Sequence, residues 1–161
     1  MKFNIYKVDC RKPEIVSILV HLQKLCLPSD AIYDVSRGHW WVAYTENDKP
    51  IGFAGLVRSN AWVDCGYLCR AGVVPSHRGK GLQKRFIKVR EAQAKRLNWN
   101  WLITDTYLNP ASSNSLISCG FRLYEPSEPW SFPHALYFRK NISAVQEKRS
   151  SISLPKKALS K

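Results

Sequence analysis

The sequence predicts an α/β protein of the α+β kind: a mixed, mostly antiparallel sheet of about six to seven strands with helices on both faces. Three observations predict it. The chain has 161 residues, the size of one ordinary domain. Hydrophobic residues make up 45% of it and aromatics 12%, enough for a packed core. Short runs of strand character occur both as hairpin neighbours and separated by amphipathic helical runs, so hairpins and crossovers coexist.

The elements follow in order. Residues 3–8 (FNIYKV) alternate apolar and polar like a half-buried strand. Pro13 and Glu14 suit a first helical turn; Ile15, Ile18, Leu19, Leu22, Leu25 and Cys26 continue at helical spacing, and Pro28 ends the run. A polar connection with Asp30 and Asp34 leads to strand 39–46, and Asn47-Asp48-Lys49 turns it into strand 50–59. After a turn near Ser59-Asn60, one strand runs to Val74. A loop over 75–81 opens a helix with Leu82, Phe86, Val89 and Leu97 on one stripe. A strand at 100–107 and a short helix at 110–119 follow, with Gly120 in the position of a helix C-cap. Strands at 121–125 and 135–140 complete the domain, 1–140. Residues 141–161 shift to Ser, Lys and isolated apolars and read as a basic, disordered tail.

Charge and cysteines narrow the function classes. Net charge is +13: +8 within 1–139, and +5 within 140–161, where six Lys/Arg meet one acid. Such a surface favours phosphates, nucleic acid or an acidic protein. No apolar run approaches ~18 residues, so no membrane span is expected, and the first residues show no apolar h-region of a secretory signal. Cys10, Cys26, Cys65, Cys69 and Cys119 are odd in number and contain no CxxC, which points to reduced thiols in the cytoplasm. With four histidines, none at ligand spacing from a cysteine, no metal site is expected. Cys65 and Cys69 read as core thiols rather than nucleophiles, for want of a histidine partner.

The stretch AGVVPSHRGKGLQKRFIKV, residues 71–89, carries the chemistry. A strand enters a basic, glycine-containing loop that opens a helix. The first turn of a helix presents unpaired N–H groups and the positive end of the helix dipole, a site for phosphate or pyrophosphate. Gly79 and Gly81 allow close approach of the anion, and Arg78 and Lys80 add charge at the rim. The plain alternative is a basic loop capped by an ordinary helix. Neither GxxxxGK[ST] nor GxGxxG is present, so a P-loop and a Rossmann site are both unsupported.

The run V-x-P-x-x-R-G-x-G-L over 73–82 resembles the acetyl-CoA signature of the GNAT N-acetyltransferase superfamily, whose core [Q/R]-x-x-G-x-[G/A] falls on Arg78-Gly79-Lys80-Gly81-Leu82-Gln83. NPASSNSLISCGF, 109–121, is similar to the family's second element, with Asn109, Ser112, Gly120 and Phe121 in register. The resemblance spans 3–140 and implies a GNAT-like sheet with acetyl-CoA as acetyl donor and a primary amine as acceptor. It implies that pantetheine pairs with the family's fourth strand, here Ala71 to Val74, and that Gly72 sits where this strand parts from the fifth. An N–H of Gly72 or Val73 would polarise the acyl carbonyl. The pyrophosphate would lie on the N–H groups from Gly79 to Gln83, with Asn109 beside the cofactor. Lys84, Arg85 and Lys88 either meet the 3′-phosphate or form a solvated basic face.

The sequence departs from the family at three places. Gln83 replaces a small residue, Leu116 stands where many relatives carry a tyrosine acid, and Thr104 stands at the usual glutamate base. Candidate bases or water-organising groups are then Asp105, Asp64 and Tyr67, with Asp105 facing the opposite side of the sheet from Thr104. Tyr107 and Tyr124 are the candidate acids. A lysine amine, pKa ~10.4, needs more help to attack than an α-amine, pKa ~7.7. Trp62 and Trp130 either shape the acceptor mouth or simply cover the sheet. A second reading, a noncatalytic basic module of the same fold, would bind nucleic acid or an acidic protein; no nucleic-acid-reading motif accompanies it.

Overall fold

The structure, a computed structural model, describes residues 1–143. Its elements are β1 (Phe3–Val8), α1 (Pro13–Cys26), β2 (His39–Thr45), β3 (Pro50–Arg58), β4 (Cys65–Tyr67), β5 (Ala71–Val73), a 3-10 turn (Pro75–His77), α2 (Leu82–Arg96), β6 (Trp101–Thr106), α3 (Pro110–Ser118), β7 (Arg122–Tyr124) and β8 (Leu136–Asn141). Eight strands form one sheet in the order β1-β2-β3-β4-β6-β8-β7, with β5 also on β3. Every pairing is antiparallel except β4 with β6, which α2 connects as a crossover.

The strand expected to run unbroken to Val74 is two strands separated by an irregular Leu68–Arg70. β4 pairs with β6 through Tyr67↔Ile103, and Leu68 N still donates to Ile103 O at 3.0 Å. Beyond that point the chain leaves β6, and β5 pairs only with β3. The sheet therefore forks between β5 and β6. The fork opens at Leu68, ahead of Gly72, which corrects the position expected for that glycine.

Helices cover opposite faces. Gly52 and Gly72 lie on opposite faces of the β3–β5 pair, because Gly52 stands across from Val73 and Gly72 from Phe53. A Cβ on Gly52 would meet the Phe86 ring of α2 at 3.2 Å; one on Gly72 would meet Cys26 of α1 at 2.5 Å. The core between them holds Leu19, Leu22, Trp40, Phe53 and Phe86, each fully buried. On the α2 side, Lys140 of β8 bridges Glu91 Oε1 and the Cys119 carbonyl, both at 2.8 Å, tying α2 and α3 to the sheet.

Two expectations need correction. The fully buried face of α2 is Leu82, Phe86, Ile87, Arg90, Gln93 and Ala94, with Val89 partly buried against the core; the helix ends at Arg96, and Leu97, expected on the stripe, is exposed. The ordered domain also continues past residue 140. Asn141 pairs with Trp101, the Ile142 side chain is buried, and Ile142 N donates to Asn100 O at 2.8 Å. The rest of the expected tail, 144–161, lies outside the described residues.

Candidate active site

The loop before α2 is built to face an anion. Gly79 and Gly81 have φ of +76° and +77°, a region that side chains with a Cβ rarely adopt. A Cβ added at either would meet nothing within 4 Å, so open space lies in front of both. Among the described residues, no protein acceptor takes the N–H groups of Gly79, Lys80, Gly81, Leu82 or Gln83. Five donors at the positive end of a 15-residue helix are thus left without a protein acceptor. Arg78 folds back, its Nε donating to Val73 O at 3.0 Å, so it braces the end of β5 against the loop. Arg85 is directed elsewhere: its Nη2 donates to Phe3 O of β1 at 2.9 Å. Lys84 stays beside the loop, and Lys88 is exposed.

The open edge of β5 continues from this loop. Val74 N donates to Ile51 O at 2.9 Å, and Gly55 N donates to Arg70 O at 2.8 Å. Alternation in an antiparallel ladder then turns Gly72 N–H toward β3 and Val73 N–H toward the fork. Of the two N–H groups expected to polarise a carbonyl, only that of Val73 faces the gap. The absence of a side chain at Gly72 is explained by Cys26 on the opposite helix.

Two hollows fill the fork. One, about 570 Å³, runs along β5 and the α2 loop. The other, about 390 Å³, lies between β4, β6, α2 and the loop before β8. They share Leu27, Ala71, Gln83, Asn109, Ser112 and Ser115 and so form one groove. Asn109 caps α3, its Oδ1 accepting from Ser112 N at 3.0 Å, and borders both hollows.

The hollow between β4 and β6 gathers the polar candidates. Thr104 turns to the buried side and donates Oγ1 to Leu68 O at 3.0 Å. Asp105 lies on the opposite face, as expected, where the Tyr67 hydroxyl donates to its Oδ1 at 3.0 Å and Ser131 Oγ donates to Oδ2. Burial and the Asp105 charge push the Tyr67 phenol well above its ordinary range, so it stays protonated and acts as a donor to Asp105. Tyr107 borders the same hollow, half exposed. Tyr124 does not: it lies in an aromatic carpet with Trp62, Trp101 and Tyr137, under the Arg139 guanidinium 4.9 Å from its ring. Its hydroxyl accepts from Trp130 Nε1, and burial raises its pKa. Asp64 is a turn residue at φ +50° whose carbonyl accepts from Asn100 N, outside the groove.

Burial pushes the thiols of Cys26 and Cys69 up to about 11 and that of Cys65 to about 12, so none is a nucleophile at neutral pH. No group of three or more His, Cys, Asp or Glu among the described residues could hold a metal ion. No helix among them is long and apolar enough to cross a membrane. The sequence reading missed Arg90 and Ser131. Arg90 stands four residues after Phe86 on the apolar stripe, a spacing that marks a buried position; Ser131 carries no comparable signal.

Comparison with known proteins gives the same fold. The acetyltransferase (GNAT) family matches residues 12–121. The ribosomal-protein-S18-alanine N-acetyltransferase of Escherichia coli is similar with a TM-score of 0.69 at 14% identity, covering 88% of this chain and 95% of that one. A Bacillus subtilis acetyltransferase solved with CoA gives 0.66 at 20% identity, covering 87% and 99%. The phosphinothricin acetyltransferase of Sinorhizobium meliloti, solved with AcCoA, gives 0.68 at 16%, covering 89% and 90%. No curated protein matches the sequence.

Proposed function

The chain belongs to the GNAT acetyltransferase family, and from that premise we propose that it transfers an acetyl group from acetyl-CoA to a primary amine by direct attack on the thioester. The observation that carries this reading is the continuity of the unpaired N–H cradle at 79–83 with the open edge of β5 and the fork. Acetyl-CoA, when bound, supplies an activated acyl thioester. The N–H groups of Gly79 to Gln83 receive its pyrophosphate, with Lys80 and Lys84 adding charge and Asn109 lining the way. Ala71 and Val73 offer backbone groups to the pantetheine arm, and Val73 N–H polarises the acyl carbonyl.

The acceptor side follows from chemistry. Asp105 uses one lone pair on each oxygen to accept from Tyr67 and Ser131, which leaves each oxygen free to accept again. It holds the incoming amine and takes its proton as the C–N bond forms. Tyr67 and Ser131 fix the carboxylate's orientation. Tyr107 and the exposed Phe132, with ring centroids 6.5 Å apart, form the mouth through which the amine enters. With a net charge of +13, the surface attracts an acceptor on an anionic molecule more readily than a polycationic one.

The test is incubation with labelled acetyl-CoA and a panel of amino acids, amines and peptide N-termini, with label transfer read by mass. Transfer that disappears in Asp105→Asn supports the reading; no transfer to any acceptor, together with no binding of acetyl-CoA, overturns it.

A further inference from the structure

Arg90 is a buried cation without an acid. It projects from α2 under the sheet and is only 3% exposed. Its Nε donates to Phe86 O at 3.1 Å and its Nη1 to Gly55 O at 3.2 Å. The second bond has a local cause. Gly55 N donates to Arg70 O, but the irregular Leu68–Arg70 keeps Arg70 N from returning the bond, and Arg90 takes the carbonyl left over. That bond accounts for one end of the guanidinium. No hydrogen bond to Nη2 and no ion pair to Arg90 exists among the described residues. The only side-chain polar atom among them that is both sealed from solvent and unpartnered is Trp99 Nε1, so Nη2 is not sealed from solvent, and Arg90 lines the hollow.

A lone buried charge is expensive, because the desolvation it suffers is not repaid by a counter-charge. Burial lowers the Arg90 guanidinium to about 10, which still leaves it charged at neutral pH. The surrounding groups do not neutralise it. Cys69, beside it, has its thiol pushed up to about 11 and is uncharged. On α2, Glu91 is paired with Lys140. On β4 and β6, Tyr67 is bonded to Asp105. In the loop after α1, Asp30 is paired with Arg70, whose guanidinium also lies over Tyr33. The α3 wall offers only the hydroxyls of Ser112 and Ser115 and the buried Leu116.

We propose that Arg90 supplies the positive charge that stabilises the coenzyme sulfur as a thiolate, so that acyl transfer in this chain needs no proton donor at Leu116. This rests on the acetyl-CoA reading above. In the transfer the amine nitrogen bonds to the acyl carbon and the carbon–sulfur bond breaks. The sulfur keeps the electron pair, and the amine proton leaves through Asp105 to water. The product is then an anion in a buried site, and a fixed guanidinium stabilises it more than a neutral hydroxyl does.

The test compares the affinities of CoA and desulfo-CoA by calorimetry from pH 6.5 to 9. A free thiol has a pKa of ~8.5. If Arg90 lowers it by one unit in the complex, the preference for CoA over desulfo-CoA rises about sevenfold across that range. Arg90→Met should flatten the rise while leaving desulfo-CoA affinity within a factor of two, and Arg90→Lys should keep most of it. A preference for CoA that does not change with pH in the parent protein overturns the inference, whether or not the variants fold. A rise that persists in Arg90→Met overturns it as well. Failure of both nucleotides to bind the parent instead removes the coenzyme reading, and this inference with it.

Discussion

Gly72 of β5 faces Cys26 of α1 so closely that a Cβ on Gly72 would stand 2.5 Å from the Cys26 Cβ. The glycine lets the last turn of α1 close onto the strand that borders the fork. Gly72→Ala should therefore destabilise the protein by about 1–3 kcal/mol, the range for overpacking a well-filled core. Because the nearest atom is Cβ rather than Sγ, Cys26→Ala should not relieve the loss and Cys26→Gly should. A double-mutant cycle by chemical denaturation reads this directly; full recovery in Cys26→Ala would show that the sulfur is what crowds the site.

The polar hollow separates the two candidate acids. Asp105→Asn should lower kcat/KM about 10²–10³-fold, within the range of general base catalysis. Tyr67→Phe frees one Asp105 oxygen and should cost about tenfold through misorientation. Tyr124 borders the carpet under Arg139 rather than the hollow, so Tyr124→Phe should leave kcat/KM within about a factor of two. Steady-state kinetics on a reactive acceptor checks all three. A Tyr124 effect larger than that of Tyr67 would place the acceptor on the aromatic carpet instead.

What could be read from the sequence was what repeats locally. FNIYKV alternates because one face of β1 is half buried, and the sequence shows that directly. The loop at 78–83 was legible because positive φ and close approach both require glycine. The fork was not legible: 65–74 reads as one apolar strand, and only pairing with β6 reveals where it breaks. Arg90 had only its spacing from Phe86 to mark it. An arginine reads as solvated, and its burial depends on a carbonyl of β3 that is 35 residues away and freed by that same break. The partition between Tyr107 and Tyr124 depends on which face β7 presents, which no local pattern sets.

Stability should fall at alkaline pH. In the folded protein, burial raises the thiols of Cys26 and Cys65 from the ordinary thiol range to about 11 and about 12. The folded state then binds more protons than the unfolded state above pH 9, so stability decreases as pH rises from there. Each thiol contributes up to about 1.4 kcal/mol per pH unit until its folded pKa is reached. Urea unfolding at pH 8 and pH 10 measures the loss, and Cys65→Ala should remove part of the slope. A stability unchanged over that interval would mean that the thiols titrate alike in both states.

The end of the domain lies beyond Lys140. Ile142 is buried, and its N–H bonds to Asn100 O at the start of β6. Ending the chain after Lys140 removes this side chain and the Asn141↔Trp101 pairing, and should cost at least about 2–4 kcal/mol, as for deleting a buried apolar side chain. Ile142→Ala in the full chain should lose a similar amount. Equal melting temperatures for the shortened and full chains would place the structural boundary at residue 140 after all.

Gly81 closes the loop onto α2, with φ +77° and open space where a side chain would go. Two substitutions separate strain from occlusion. Gly81→Ala puts a Cβ into space without contacts but holds it in a left-handed conformation, which costs roughly 1–2 kcal/mol and lowers the melting temperature modestly. Gly81→Glu adds the same strain plus a negative charge where the pyrophosphate is proposed to lie. Two unit charges ~4 Å apart repel by ~4 kcal/mol at an effective dielectric of 20, and 1.4 kcal/mol is a factor of ten. The charge should therefore weaken acetyl-CoA binding at least about a hundredfold beyond the alanine variant, even after screening by solvent. Thermal melts should be alike for the two variants, because a glutamate in the first turn suits the helix dipole. Calorimetric titration with acetyl-CoA beside those melts decides the matter. If the glutamate variant binds acetyl-CoA within a factor of three of the alanine variant, the pyrophosphate does not rest on this loop.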